Sequence, residues 1–159
     1  MSNNANLTGA TCPLVLRQNG ENVEYLAVPL SDRDYESLDL WVQSQVIEIT
    51  RYSAQEALDN GDINAMQYDD MLTVASKAAI GVSLYEASGS QVINTPKGIA
   101  RLAWQMTRKN HPDLKHRDFI PFCKQIENQT EIIRVLNVLN PRDTKVETGE
   151  DGKKLAGSE

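Results

Sequence analysis

The sequence predicts a mainly α-helical protein with a small N-terminal β-hairpin, an α+β fold with four to five helices. Three observations predict it. Two short β-prone runs flank an Asn-Gly dipeptide near the N-terminus, apolar residues recur with a period of 3.6 over several later segments, and helix-capping residues precede those segments. At 159 residues the chain has the size of one domain. We assign that domain to residues 12–140, with the hairpin at 13–28 and a helical body at 31–140.

The hairpin is predicted from the runs Pro13–Arg17 and Val23–Val28, which are separated by Asn19-Gly20. Asn and Gly tolerate the positive φ angles of a tight hairpin turn. Because an isolated hairpin is marginally stable in water, this one must pack on helices or pair with strands of another chain.

The first helix is predicted to begin at the cap Ser31, with Asp32 and Asp34 in its first turn, and to end near Asp59-Asn60-Gly61. A second helix is predicted over Ala65–Tyr85, followed by a loop over residues 86–96. The expected buried stripe of the first helix is Leu38, Trp41, Val42, Val46, Ile49 and Tyr52. The expected stripe of the second helix is Met71, Leu72, Ala75, Ala79 and Val82.

Thr95-Pro96 predicts the start of a third helix, since Thr caps and Pro suits the first helical position. Pro112 should stop this helix around Lys109–Asn110. We expect a fourth helix over Lys115–Glu127. The segment Thr130–Asn140 is expected to form a further short helix, although its β-branched residues leave a strand open.

The two ends of the chain are polar and lack apolar periodicity, so residues 1–11 are predicted to be a disordered arm and residues 141–159 a flexible tail. Neither a signal peptide nor a transmembrane helix is predicted, which suggests a cytoplasmic protein. Cys12 and Cys123 are isolated in the chain and are expected to be free thiols, with Cys123 serving as a small apolar residue on a helix.

Enzymatic activity is not expected. His111 and His116 are the two histidines of the chain, and they flank a helix break with no fixed relation to each other. The sequence shows no nucleophile elbow, phosphate-binding glycine loop or zinc-protease motif. The two histidines are interpreted as turn residues.

A metal or other cofactor is not expected either. His111, His116 and Cys123 are the soft ligands of the C-terminal half, but they lack the paired short spacings of structural zinc sites. The acidic run that begins at Asp59 places Gly61 and Asn64 at the third and sixth positions of a would-be calcium loop, where an EF-hand needs an acid and a glycine.

Nucleic-acid binding is the rival hypothesis that the residues themselves suggest. Five cations lie between residues 101 and 117, on two predicted helices joined by a short break. The second helix, however, opens with apolar residues and Pro121 where a recognition helix presents polar side chains. The net charge of −6 also argues against a dedicated nucleic-acid binder. The five cations are Arg101, Arg108, Lys109, Lys115 and Arg117.

Two motifs resemble those of the tail assembly chaperones of long-tailed bacteriophages. The first is "EYLAVPLSDRDYESLDLWV", in which a short hairpin leads through a Tyr-x-x-x-Pro-Leu run into an Asp-rich helix cap. The second is "LAWQMTRKNHPDLKHRDF", a Trp-x-x-x-Arg-Lys-x-His-Pro-Asp run. Lys115-His116 departs from the hydroxyl cap that usually follows this run. The motif residues are Tyr25, Pro29, Leu30, Asp32 and Asp34 in the first, and Trp104, Arg108, Lys109, His111, Pro112 and Asp113 in the second.

The resemblance implies a non-catalytic protein that binds the tape measure protein and assists polymerisation of the tail tube protein. Such a protein acts in the host bacterial cytoplasm and is absent from the mature virion. A homo-oligomer is possible under this hypothesis, whereas binding to nucleic acid or to membranes is not expected. The alternatives are a helix-turn-helix DNA-binding regulator and a structural tail or connector protein of the virion.

The expected partner-binding residues lie at the end of the third helix and in the turn after it. Trp104 is the central candidate, and the sequence leaves open whether it faces the core or a partner. The candidate set is Arg101, Trp104, Arg108, Lys109, His111 and Pro112.

Overall fold

A computed structural model describes residues 10–141. The predicted disordered arm and flexible tail lie outside these residues, apart from Ala10, Thr11 and Pro141. Within the described range the fold is mainly helical with a two-stranded antiparallel hairpin, as the sequence predicts. The elements are β1 (Cys12–Gln18), β2 (Glu21–Ala27), α1 (Asp32–Asp59), α2 (Ala65–Ala79), α3 (Ala87–Ile93), α4 (Pro96–Thr107), α5 (His116–Phe119), a 3-10 helix (Phe122–Lys124) and α6 (Ile126–Leu139).

The β-hairpin turns at Asn19-Gly20, with φ angles of 52° and 84° at these two residues. Positive φ at both central residues is the reason for Asn-Gly here, because this turn matches the twist of the strands. Compared with the predicted 13–28, the hairpin is shifted by one residue, starting at Cys12 and ending at Ala27. The side chains of Leu14 and Leu16 point to the same face and are fully buried.

The hairpin packs on the helical body, and side chains of that body bind the outward-facing backbone groups of both strands. The Asn128 amide accepts from the Arg17 N–H at 2.8 Å and donates to the Arg17 carbonyl at 2.9 Å. On the other strand, the Leu26 N–H donates to His111 Nε2 at 2.9 Å, and Asn110 donates to the Leu26 carbonyl at 3.3 Å. The side chains therefore occupy backbone positions that a strand of another chain would need.

The first helix begins as predicted. Ser31 caps it, and the Ser31 hydroxyl and the Asp34 carboxylate bind each other's backbone N–H in a capping box. The helix ends at Asp59, and Gly61 follows with a φ of +79°. The predicted buried stripe is wrong at its C-terminal end, because Ile49 and Tyr52 are 61% and 76% exposed. The helix runs past the main hydrophobic core at this point.

The prediction for residues 65–96 needs two corrections. The second helix ends at Ala79 instead of Tyr85, because the chain bends at Gly81 and is then bound to α1 by side chains of that helix. Gln43 donates to the Val82 carbonyl, and the Leu84 N–H donates to Asp39. The predicted loop over 86–96 contains α3, since burial of its Val92 and Ile93 outweighs the low helix propensity of its Gly and Ser residues.

The predicted third helix forms as α4, capped by Thr95, with its last residue at Thr107. The predicted fourth helix over Lys115–Glu127 is wrong: the structure has the four-residue α5, the 3-10 helix and the start of α6 in its place. Pro121 explains the break, because it lacks an N–H and clashes with the preceding helical turn. The segment left open as helix or strand belongs to α6 and is helical. The six α-helices of residues 10–141 exceed the four to five expected.

Two regions differ in how they are packed. The head comprises the hairpin, residues 32–46 of α1, and α3 to α6, and it holds the main hydrophobic core. The stalk comprises residues 47–80, in which α2 packs on the C-terminal half of α1 and on no other element to a similar extent. Large buried core side chains of the head include Leu14, Leu16, Leu38, Leu102, Met106, Phe119 and Ile132.

Candidate functional site

A cleft of about 1130 Å³ opens between the start of α1 and the end of α4. Four of the six predicted partner-binding residues line it. Its walls combine apolar, polar and charged side chains, so it suits a peptide segment better than a purely apolar ligand. Arg101 lies on the neighbouring face of α4, and His111 contacts the hairpin. The four lining residues are Trp104, Arg108, Lys109 and Pro112.

Trp104 forms one wall of this cleft and is half-buried. Its indole N–H donates to the Leu114 carbonyl at 3.0 Å, and its ring packs against the edge of the core. The guanidinium carbons of Arg101 and Arg108 lie 4.5 Å and 5.1 Å from the centre of the ring. Both distances are in the range of cation–π contacts. Trp104 therefore supports the cleft and stacks two arginines, so it belongs neither wholly to the core nor wholly to the surface.

Arg108 joins α4 to the N-terminus of α1 through an ion pair with Asp34 at 2.8 Å. Burial raises the pKa of the Asp34 carboxyl, but hydrogen bonds from Ser31 and the hydrogen bond and charge of Arg108 outweigh burial and lower the pKa overall. The Asp34 carboxylate thus has two roles, since it also belongs to the helix cap. The pair fixes one side of the cleft.

Arg101 forms no ion pair with a carboxylate of residues 10–141. Its guanidinium lies between Trp104 and Trp41, 5.6 Å from the centre of the Trp41 ring. Its Nε is buried and has no hydrogen-bond partner within residues 10–141. Burial, together with the nearby charge of Arg108, lowers the pKa of Arg101. Trp41, which sequence analysis placed in the buried stripe of α1, is thus a residue of this site.

Gln105 lies at the base of the cleft and is 2% exposed. Its Nε2 donates to the Asp34 carbonyl at 3.4 Å, while its Oε1 has no protein partner among the described residues. A buried acceptor of this kind costs stability unless a donor reaches it.

The two histidines have separate structural roles. The His111 ring accepts from the hairpin backbone and packs edge-on against Tyr25 at 5.4 Å. His116 begins α5, donates to the Lys97 carbonyl at 2.9 Å and packs edge-on against Trp41 at 5.6 Å. Burial is the main cause that lowers the pKa of His116, and Arg101 and Lys97 lower it further.

The third soft ligand, Cys123, is buried in the core of the head, where burial raises the pKa of its thiol to about 12. A thiol with such a pKa is a poor metal ligand and a poor nucleophile at neutral pH. In the part of the chain that the structure describes, no three His, Cys, Asp or Glu side chains form a group suited to a metal ion.

The cations that suggested DNA binding do not form a recognition helix. The second helix of the helix-turn-helix arrangement considered in the sequence analysis has only the four residues of α5. Arg101 and Arg108 are stacked on Trp104, and Arg108 is also paired with Asp34. Lys109, Lys115 and Arg117 remain on the surface.

The stalk carries an apolar surface that sequence analysis did not identify as a site. Ala54, Ala75 and Ala79 fill the seam between its helices, while larger apolar side chains lie outside. A groove of about 400 Å³ runs along one side of the seam and a groove of about 430 Å³ along the other. The sequence pattern that could have indicated this surface is the presence of apolar residues on more than one face of α2. The exposed apolar residues are Ile49, Tyr52, Met66, Met71, Val74 and Ile80.

None of the helices within residues 10–141 is both long and apolar enough to cross a membrane. Compared with known proteins, the chain matches no family model, no curated protein and no solved structure.

Proposed function

We propose that the protein is a tail assembly chaperone of a long-tailed bacteriophage. In this role it binds a helical segment of the tape measure protein and assists polymerisation of the tail tube protein, without catalysis. The observation that carries the binding role is the apolar surface of the stalk, where Val74 and Ile49 are 66% and 61% exposed. Clustered apolar side chains of this size on a surface are typical of protein-binding sites.

The shape of the stalk favours a helix as the bound segment. Each groove beside the α1–α2 seam is shallow and lined by side chains of both helices, among them Thr50 and Val74 on one side and Ile47 and Leu72 on the other. An amphipathic helix places apolar side chains at intervals of three and four residues into such a groove. Alanines in the seam keep α1 and α2 close together, so the bound helix would form the third member of a bundle.

The proposed family rests on the two resemblance motifs, which contact each other in the fold. Asp34 of the first motif pairs with Arg108 of the second, and Tyr25 packs on His111. The two motifs therefore form one structural unit, in which the capped start of α1 packs against the end of α4. This proximity supports a shared role for them, and we place the protein in the host cytoplasm during assembly and not in the finished virion.

Co-expression with the neighbouring genes tests the proposal. We expect the gene to be followed by a long open reading frame for a helical tape measure protein, and a pull-down to recover that protein. Val74→Glu should reduce recovery about tenfold, because a charge in the groove must be desolvated on binding. Val138→Glu is the matched control: Val138 is 55% exposed on α6 of the head and lines neither groove.

Absence of such a reading frame, or undiminished recovery by Val74→Glu, would overturn the proposal. Mass spectrometry of purified particles adds an independent check. The chaperone role predicts that the protein is absent from them, whereas a structural tail or connector protein would be found in stoichiometric amounts.

A further inference from the structure

We propose that Arg101, held between Trp41 and Trp104, binds the carboxylate of an acidic peptide segment whose neighbouring apolar side chains pack on Trp41 and Leu40. The depression that holds Arg101 lies on the head and shares no lining residue with the two grooves of the stalk. The inference does not depend on the tape measure protein as partner, and it stands or falls by a separate experiment.

The site is a depression of about 450 Å³ beside the stack of aromatic and guanidinium groups. It presents two arginines next to an apolar surface, where Leu40 is 67% exposed. A carboxylate and an adjacent aliphatic side chain could occupy it together. The lining residues are Arg33, Glu36, Ser37, Leu40, Trp41 and Arg101.

Arg108 shows within the same molecule what completes such an arrangement. Its guanidinium stacks on Trp104 at 5.1 Å and pairs with the Asp34 carboxylate at 2.8 Å. The guanidinium of Arg101 lies 4.5 Å from the ring centre of Trp104 and 5.6 Å from that of Trp41. In contrast to Arg108, it pairs with no carboxylate of residues 10–141. The two stacked arginines therefore differ in that Arg108 has a carboxylate counter-ion within residues 10–141 and Arg101 has none there.

Stacking prepares Arg101 for this role. A guanidinium is a planar fork that binds a carboxylate through two parallel hydrogen bonds, and two flanking rings restrict its rotation before binding. Less conformational entropy is then lost when the ligand arrives. Burial and the charge of Arg108 both lower the pKa of Arg101, and an incoming negative charge would offset both effects.

The surroundings favour an isolated carboxylate over the phosphates of a nucleic acid. Glu36 lines the same depression, and Asp34 lines the adjoining cleft. A polyanion would place successive charges against these acids, which costs free energy at each contact. A peptide with one acidic residue can place its carboxylate on Arg101 and its apolar side chains on Leu40 and Trp41.

The apolar part of the ligand has a continuous path along α1. Trp41 also lines a second groove of about 500 Å³, between α1 and the segment from α3 to the start of α4, and Val46, Ile49 and Val92 contribute apolar surface there. Trp41 therefore connects a cationic depression with an apolar groove. This arrangement fits a segment in which apolar residues follow the acid.

Tryptophan fluorescence offers a direct test, because Trp41 and Trp104 are the two tryptophans of the chain and both contact Arg101. The probe is the peptide acetyl-Asp-Leu-Leu-amide, with acetyl-Asn-Leu-Leu-amide as its uncharged match. We expect a saturable change in emission with the Asp peptide and about tenfold weaker binding of the Asn peptide, since the charge-assisted pair is lost. This comparison uses the unaltered protein and needs no variant to fold.

Variants then locate the binding. Arg101→Gln should weaken the Asp peptide about tenfold and abolish its advantage over the Asn peptide. Arg101→Lys should fall between, because it keeps the charge and loses the fork. Arg117→Gln is the control, an exposed cation outside the depression.

Three outcomes would overturn the inference. They are equal affinity for the two peptides, no saturable change up to about 10 mM peptide, and Arg101-dependent binding of duplex DNA that exceeds binding of the Asp peptide. The pull-down with Val74→Glu probes the stalk, so failure of either proposal leaves the result of the other experiment unaffected.

Discussion

The head and the stalk use opposite arrangements of large and small side chains. In the head, large apolar residues such as Leu102 and Phe119 are 1% exposed and surround one another. In the stalk, alanines occupy the interior, and residues as large as Tyr52 and Ile80 are 76% exposed. The head thus gains its stability from its own burial, while the stalk leaves large apolar side chains exposed.

This difference implies different local stabilities. Burial of apolar area is the main favourable term in folding, at about 25 cal/mol per Å². Two helices joined by an alanine seam bury little of it, so α2 should open at a lower free energy than α4. Local stability and exposed apolar surface are therefore divided between the two regions.

The largest expected effect is a cavity in the head. Leu102→Ala should lower the free energy of unfolding by about 2–5 kcal/mol, because it removes a buried side chain from a packed core. The matched change in the stalk, Val74→Ala, should cost less than about 0.5 kcal/mol, since that side chain is already in solvent. Chemical denaturation measures both, and similar losses would contradict the division into head and stalk.

A second prediction separates the two regions directly. Ala79→Leu should cost about 1–3 kcal/mol by forcing α2 away from α1, because Ala79 is 1% exposed in the seam. Hydrogen exchange should show faster exchange in α2 and unchanged protection in α4. Ala78→Leu, on the exposed side of the same helix, should leave both unchanged. Loss of protection throughout the head would show that the stalk is part of the head's cooperative unit.

The smallest expected effect is pH-dependent and arises in the head, where His116 lies. The pKa of His116 is lowered from its ordinary value of 6.5. Just below this pH the unfolded chain binds more protons than the native one, so stability falls as pH falls and is fully present above it. Thermal unfolding between pH 7.5 and 5 should show a shallower decline for His116→Gln, and equal slopes would exclude this role.

The sequence was sufficient for features that depend on local chemistry. Asn19-Gly20 specifies its turn through φ angles, Ser31 specifies a helix cap, and Thr95-Pro96 specifies a helix start. Each of these signals depends on a few neighbouring residues, so it does not require distant contacts, and the structure shows the predicted turn and caps.

The features that depend on distant contacts could not be predicted. Periodicity shows that Ile49 is apolar and on one face of α1, but it cannot show where the core ends along a helix. Helix propensity argues against α3, which forms because Val92 and Ile93 find burial elsewhere. For the candidate site, the cluster around Trp104 was predicted. The contribution of Trp41, 60 residues or more from Arg101 and Trp104 in the chain, requires the tertiary fold.

The continuity of α1 has a mechanical consequence. Its 28 residues contain neither glycine nor proline, and at 1.5 Å per residue they span about 42 Å. One rigid rod therefore runs from the Ser31 cap in the head to the far end of the stalk. The apolar surface at that end is held at a fixed distance and orientation from the cleft, so α1 is a spacer of defined length between the two.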